Sequence, residues 1–192
     1  MKGPRIPLLD TDDARARGVA LGLSEQLATL NVFRTMLHQE PVAKAVAGTL
    51  TTLLFTGNRL DVRLRELVIM RIGWQTGSCY EWTQHWRVAR GLNIPERDLL
   101  AVRDWQSARC FSALERAALA ATDETLRDGY ISNRTWPKLA KELPADQLVE
   151  LVIAIGNWNM FSQLLQSLAV PLEDGIEPWP PDGRAPKRSP KR

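Results

Sequence analysis

Apolar residues in this chain recur at three- and four-residue spacing between Gly, Pro and Ser breaks, and no segment shows the alternation of a strand. Leu27, Leu30, Phe33, Met36 and Leu37 predict a helix from about Ser24 to His38. Pro41 suits the first turn of the next helix, which runs through Leu54 and stops near Gly57. The run R-L-R-E-L-V-I-M-R-I-G-W, from Arg63 to Trp74, predicts a third helix that Asp61 can cap. A Gly77-Ser78 break then separates it from a second run carrying Glu81 and His85, and the two read as a hairpin. Pro95 opens a helix with Leu99, Leu100, Val102 and Trp105. Ser112-Ala113-Leu114-Glu115 has the capping-box pattern and begins an Ala-rich helix that ends near Gly129. A short helix around Asn133–Lys141 follows, and the last begins near Pro144, continues through Leu168 and ends at Pro171. The predicted class is all-α.

Composition adds boundaries. A chain of 192 residues, 44% hydrophobic and 24% charged, fits one domain with a sizeable core. Residues 1–22, rich in Pro, Gly and charge, are expected to form an extended arm, and 23–175 a single helical domain. Residues 176–192 are expected to be a disordered Pro-rich basic tail. The net charge of +3 changes meaning once that tail is set aside. Arg184, Lys187, Arg188, Lys191 and Arg192 carry five positive charges with no acid after Asp182, and without them the remainder stands at −2. That leaves no ground for a basic nucleic-acid surface on the folded body, and no nucleic-acid partner is expected. The start M-K-G-P-R-I-P lacks a signal-peptide core and no apolar run approaches membrane-spanning length, so no membrane association is expected. Two cysteines, Cys79 and Cys110, suit a reducing cytoplasm better than a disulfide scaffold.

The chemistry concentrates in the second helix of the hairpin. Ser78, Glu81, Trp82 and His85 stand at offsets of three, four and seven, and so share one face. A carboxylate and an imidazole one turn apart can exchange a proton or hold a substrate between them. Glu66 reaches the same space if the hairpin closes. Each residue also has a structural reading. Ser78 and Glu81 form a capping box if Glu81 returns to the Ser78 N–H, which leaves one carboxylate oxygen for chemistry. Glu66, among Leu64, Leu67, Val68 and Ile69, is either exposed beside Arg65 or buried with a partner. Trp82 is the tryptophan placed against a ligand, while Trp74 and Trp86 read as core. Arg71 is a candidate clamp for a substrate carboxylate. Cys79 stands where the helix dipole favours a thiolate, but it points about 100° from Ser78. His38 reads as structural. Two distant histidines with scattered acids form no metal-ligand spacing, so no metal or other cofactor is expected. A weak echo is also present: Glu66-Leu67-Val68-Ile69 recurs as Glu150-Leu151-Val152-Ile153, followed by Gly73-Trp74 in one case and by Gly156 and Trp158 in the other.

The frame Glu66, eleven residues, Ser78-x-x-Glu81-x-x-x-His85 resembles the carboxymuconolactone decarboxylase and alkylhydroperoxidase D superfamily over roughly residues 25–175. Its peroxidase branch has Cys-x-x-Cys where this chain has Ser78 and Glu81, while Glu66 and His85 match the family's Glu and His. The Y-E-W-x-x-H form, the flanking R-L-R-E-L-V-I and the later V-P-L-E (Val170 to Glu173) are similar to a non-peroxidase subgroup. The resemblance implies an alkylhydroperoxidase D-like all-α fold, a homo-oligomer, and a small-molecule substrate handled without a cofactor. It suggests a decarboxylase-like lyase; joined to the reading of the residues above, Glu66, Glu81 and His85 are the catalytic candidates and Ser78, Trp82 and Arg71 the candidates for binding a small organic acid, lactone or carbonyl compound. One alternative is peroxiredoxin-type antioxidant activity through Cys79, alone or with Cys110. Another is a non-catalytic oligomer that binds a small molecule.

Overall fold

The computed structural model describes residues 3–178, 182 and 184, and within these ten α-helices and no strands are present. The all-α expectation is borne out. Most of the tail expected to be disordered lies outside the described residues. The chain divides into two compact units.

The first unit takes the residues up to Asn58 together with Leu164–Ile176. It holds α1 (Thr11–Ala20), α2 (Glu25–Ala28), α3 (Asn31–Met36) and α4 (Glu40–Thr51), which runs on into a π-turn at Thr52–Thr56. Two features differ from expectation. Residues 11–20 are helical, not extended, because the Asp10 carboxylate caps the backbone N–H groups of Asp12 and Asp13. The helix predicted over 24–38 is two, broken where Leu30 takes an extended conformation between α2 and α3. Asn31 then ties down the V-P-L-E segment. Its side-chain amide donates to the Pro171 and Leu172 carbonyls, and its backbone N–H donates to the Glu173 carboxylate at 3.0 Å. His38 bonds the Pro7 carbonyl at 2.8 Å.

The second unit, Arg59–Gln163 with the residues from Glu177 onward, is built on α5 (Val62–Thr76). Asp61 starts this helix by accepting from the Leu64 N–H at 2.9 Å. Every residue from Leu64 to Gly73 is buried, so the helix is enclosed on all sides. It is followed by α6 (Cys79–Gly91), α7 (Glu96–Ala101) with a 3₁₀ turn at Val102–Asp104, α8 (Ala113–Asp128), α9 (Trp136–Ala140) and α10 (Ala145–Leu168). Leu67, Met70, Trp82, Leu99, Val102 and Leu119 form the heart of its core. Each such side chain contributes about 1.5–3 kcal/mol on burial. The predicted capping box closes at Ser112 and Glu115.

α10 is the one described helix long and apolar enough, by length and composition, to cross a membrane, against the expectation that no run approaches that length. More than half of that stretch is buried in the protein, as in a core helix.

Candidate functional site

The geometry of the site begins at the turn between α5 and α6. Gly77 sits just past α5 at φ +72°, in the left-handed region that glycine enters without steric cost. The Gly77 N–H donates to the Trp74 carbonyl at 3.2 Å and the Ser78 N–H to the Gly73 carbonyl at 3.0 Å, the pair of bonds of a Schellman turn. Gly73 also sets the helix spacing, because a Cβ there would lie 3.0 Å from the Trp82 backbone nitrogen. The turn has a chemical consequence. Ser78 stands at the N-cap of α6, but its hydroxyl makes no capping bond, and its N–H, the donor that a returning Glu81 carboxylate would need, is taken by the Gly73 carbonyl. The capping-box reading of Ser78 and Glu81 is therefore corrected: the Glu81 carboxylate is not tied to the helix start.

Glu66 and His85 meet across the hairpin. His85 Nδ1 lies 2.7 Å from Glu66 Oε2, and Arg65 Nε donates to Glu66 Oε1 at 3.0 Å. Glu66 is fully buried and both flanking groups are nearly so. Of its two readings, burial with a partner is the one that holds. On the other edge of the ring, the Trp158 indole N–H from α10 donates to His85 Nε2 at 2.9 Å, with the two rings edge to face. Glu81 Oε2 stands 3.7 Å from the same nitrogen and makes no hydrogen bond among the described residues. Ser78 Oγ, on the same face of α6, is buried without a partner among them.

These surroundings separate the two carboxylates. Burial pushes the Glu66 pKa up, but the His85 and Arg65 partners more than offset it and hold the group below the usual carboxylate range. Glu81 has no such partner. Burial, reinforced by the nearby Glu66 charge and opposed by His85, pushes its pKa up to about 7. Burial also disfavours the charged form of His85, yet the Glu66 carboxylate at Nδ1 outweighs it and draws that pKa upward. One buried cluster thus holds an ionised carboxylate, a carboxyl poised near neutrality and an imidazole between them.

Other candidates lie elsewhere. Arg71 is occupied: it forks onto Asp123 at 2.6 and 2.9 Å and donates to the Val102 and Arg103 carbonyls at 2.8 Å each. Trp82 is fully buried between Trp74 and Trp86, at ring-centroid distances of 5.3 and 6.2 Å. The 100° step from Glu81 to Trp82 aims one at the acid–imidazole cluster and the other into the core. Cys79 is half-buried with Sγ 3.8 Å from Thr83 Oγ1, and Cys110 is exposed. Sequence reasoning missed Arg65 and Trp158 as members of the cluster. Arg65 adjoins Glu66, and the echo after Glu150 had already set Trp158 apart.

Comparison with known proteins bears on family and fold. Residues 40–124 match the model of the carboxymuconolactone decarboxylase family. A peroxidase-related protein of Ralstonia eutropha JMP134 with an alkylhydroperoxidase AhpD core superposes with a TM-score of 0.74 at 14% identity, covering 92% of this chain and 95% of that one. A peroxidase-related protein of Silicibacter sp. TM1040 gives 0.70 at 15%, with 92% of each chain covered. A variant of the debrominase Bmp8, solved with 2,3,4-tribromopyrrole, gives 0.71 at 18%, covering 87% and 90%. At such identities the likeness carries the fold alone. No curated protein matches the sequence.

Proposed function

We propose that this chain, similar to the carboxymuconolactone decarboxylase family over residues 40–124 and to AhpD-like proteins in fold, is a cofactor-independent enzyme that moves protons on a small lactone, carbonyl compound or organic acid. The observation that carries the reading is the buried 2.7 Å bond from Glu66 to His85, with a near-neutral Glu81 facing the other ring nitrogen. Isomerisation of such a substrate removes a proton from the carbon beside a carbonyl, leaves the electron pair as an enolate, and returns a proton at another carbon. Decarboxylation reaches the same enolate by loss of carbon dioxide and needs only the second proton transfer. Both need an acid or base of tuned pKa next to a group that orients it.

Within the class, a neutral reacting end is favoured. Arg65 is paired with Glu66 and Arg71 with Asp123, so neither guanidinium is free to take a substrate carboxylate. Ser78 Oγ and Glu81 are the polar groups left to meet a lactone or ketone oxygen. The expected homo-oligomer is carried forward on the exposed apolar stripe of Val149, Val152 and Ile153 along α10, and a cytoplasmic setting on two cysteines that form no disulfide.

A thiol reading retains one supporting observation: Cys79 is partly accessible at the first residue of α6. A single screen separates the two. Small lactones, carbonyl compounds and organic acids are offered to wild type, His85→Ala and Cys79→Ser, with and without prior reduction. Turnover that falls at least about 100-fold in His85→Ala and persists in Cys79→Ser supports proton transfer. Turnover that needs reduced Cys79 overturns it.

A further inference from the structure

The hydrogen bond on the far side of the imidazole assigns roles inside this site. An indole N–H can only donate, so the nitrogen it points at must present a lone pair. His85 Nε2 receives that donor at 2.9 Å. The ring proton is then on Nδ1, where Glu66 accepts it. An imidazolium, which carries protons on both nitrogens, would set an N–H of the ring against the N–H of the indole.

The charged groups around the ring pull the other way. From α5 come the Glu66 carboxylate at 2.7 Å and Arg65 behind it, from α6 itself comes Glu81 at 3.7 Å, and α10 brings the uncharged Trp158. The two carboxyl groups favour a proton on the ring; burial and the Arg65 guanidinium oppose it, and the Trp158 N–H is the one hydrogen-bonding group placed to oppose it at Nε2.

We infer that Trp158 is a positioning residue that holds His85 in the neutral Nδ1–H form, with its Nε2 lone pair ready to act as general base, and so leaves Glu81 to act as the acid. The inference rests on the proposed proton-transfer reading. In turnover the indole yields Nε2 to the substrate. The lone pair of Nε2 takes a proton from the carbon beside the carbonyl, and the C–H electrons become the enolate. Glu81 delivers its own proton to the second carbon and is left as the carboxylate. The imidazolium between Glu66 and Glu81 then returns the proton to Glu81, which restores both groups.

The chain has only two histidines, which makes the ring directly readable. Protein labelled with ¹⁵N in its histidines, in a His38→Gln background, reports His85 alone by NMR. Near neutral pH the expected spectrum has one protonated ring nitrogen, Nδ1, and one bare nitrogen, Nε2. Trp158→Phe keeps the ring and removes the donor. The His85 titration midpoint is expected to rise by about one pH unit, and the acidic limb of the kcat/KM profile to rise with it. Loss of packing alone moves neither. A wild-type ring protonated on both nitrogens near neutral pH overturns the inference, as does an unchanged titration in Trp158→Phe. The tautomer is read without turnover, so a correct tautomer in a protein that converts no substrate counts against the proposed function and leaves the hydrogen-bond assignment standing.

Discussion

Two helices of this chain begin on Ser-x-x-Glu, α8 at Ser112–Glu115 and α6 at Ser78–Glu81, and only α8 closes the reciprocal bonds. The Ser112 N–H donates to Glu115 at 2.7 Å and the Glu115 N–H to Ser112 Oγ at 3.1 Å. At α6 the donor that Glu81 would need is held by the Gly73 carbonyl, because the helix before it ends in a left-handed glycine one residue upstream. The same four-residue pattern therefore gives a satisfied helix start in one place and a buried carboxyl without a hydrogen bond in the other. What precedes the motif decides which. Structural saturation and chemical availability are alternatives here, and the Schellman turn selects the second.

The largest effect that sharpens this contrast is on turnover. Glu81→Gln removes the acid while keeping the size and shape of the side chain, and the rate is expected to fall about 10²- to 10⁴-fold in a protein that still folds. Glu115→Gln is the control. Glutamine completes a capping box, and the ion pair with Arg63 that it loses is partly solvated, so turnover should hold and stability should drop by no more than about 1 kcal/mol. Equal activity losses in the two variants would erase the distinction.

The same pair differs in pH dependence. The folded state raises the Glu81 pKa from 4.5 to about 7, so it binds that proton more tightly than the unfolded chain does. The associated stability is fully present below about pH 4.5 and is lost as pH rises through about 7. Above that, the buried charge costs on the order of 3 kcal/mol. Glu81→Gln cannot ionise, so its stability relative to wild type should grow between those pH values and then level off. Urea denaturation across the range checks it, and a constant offset would contradict the assignment. Glu115→Gln should show no such rise.

A third variant breaks the turn itself. Gly77→Ala places a side chain at φ +72°, a strain of about 1–2 kcal/mol, and loosens the bond that holds the Ser78 N–H. Gly129→Ala meets the same strain at φ +86° at the end of α8. Both should lower the melting temperature by similar amounts, but only Gly77→Ala should also lower turnover. Undiminished turnover in Gly77→Ala would mean that the turn does not govern Glu81.

What could be read from the sequence follows from the same physics. The Asp61 cap, the Gly77 and Gly129 stops and the Pro95 start are local, so single residues announce them. The break between α2 and α3 leaves no trace because Ala28, Val32 and Phe33 are buried on either side of it and the apolar spacing runs through. α1 escapes notice because it buries only Ala14 and Gly18, which are too small to set a period. The Glu66, Glu81 and His85 cluster was legible because a hairpin brings near neighbours together. Arg71 was misplaced because sequence cannot tell a paired guanidinium from a free one, and its partner Asp123 lies 52 residues away. Trp158 is 73 residues from His85, and helical periodicity says nothing about which helix meets which.

The smallest expected effect is the most discriminating for the two serines. Ser112 Oγ accepts the Glu115 N–H, so Ser112→Ala removes a working N-cap and should cost about 1 kcal/mol. Ser78 occupies the same position on α6, yet its Oγ is buried with no partner and no capping bond. A buried hydroxyl without a hydrogen bond is already a burden on the folded state. Ser78→Ala should therefore leave stability unchanged or slightly raised, an outcome rare for an N-cap serine. Its effect should appear in the KM for a lactone or ketone, where the lost hydroxyl would have met the substrate oxygen. Thermal melts of the two alanine variants, measured side by side, decide it. A loss at Ser78 as large as that at Ser112 would show that its hydroxyl caps α6 after all, and would return Glu81 to the structural role that Glu115 holds in α8.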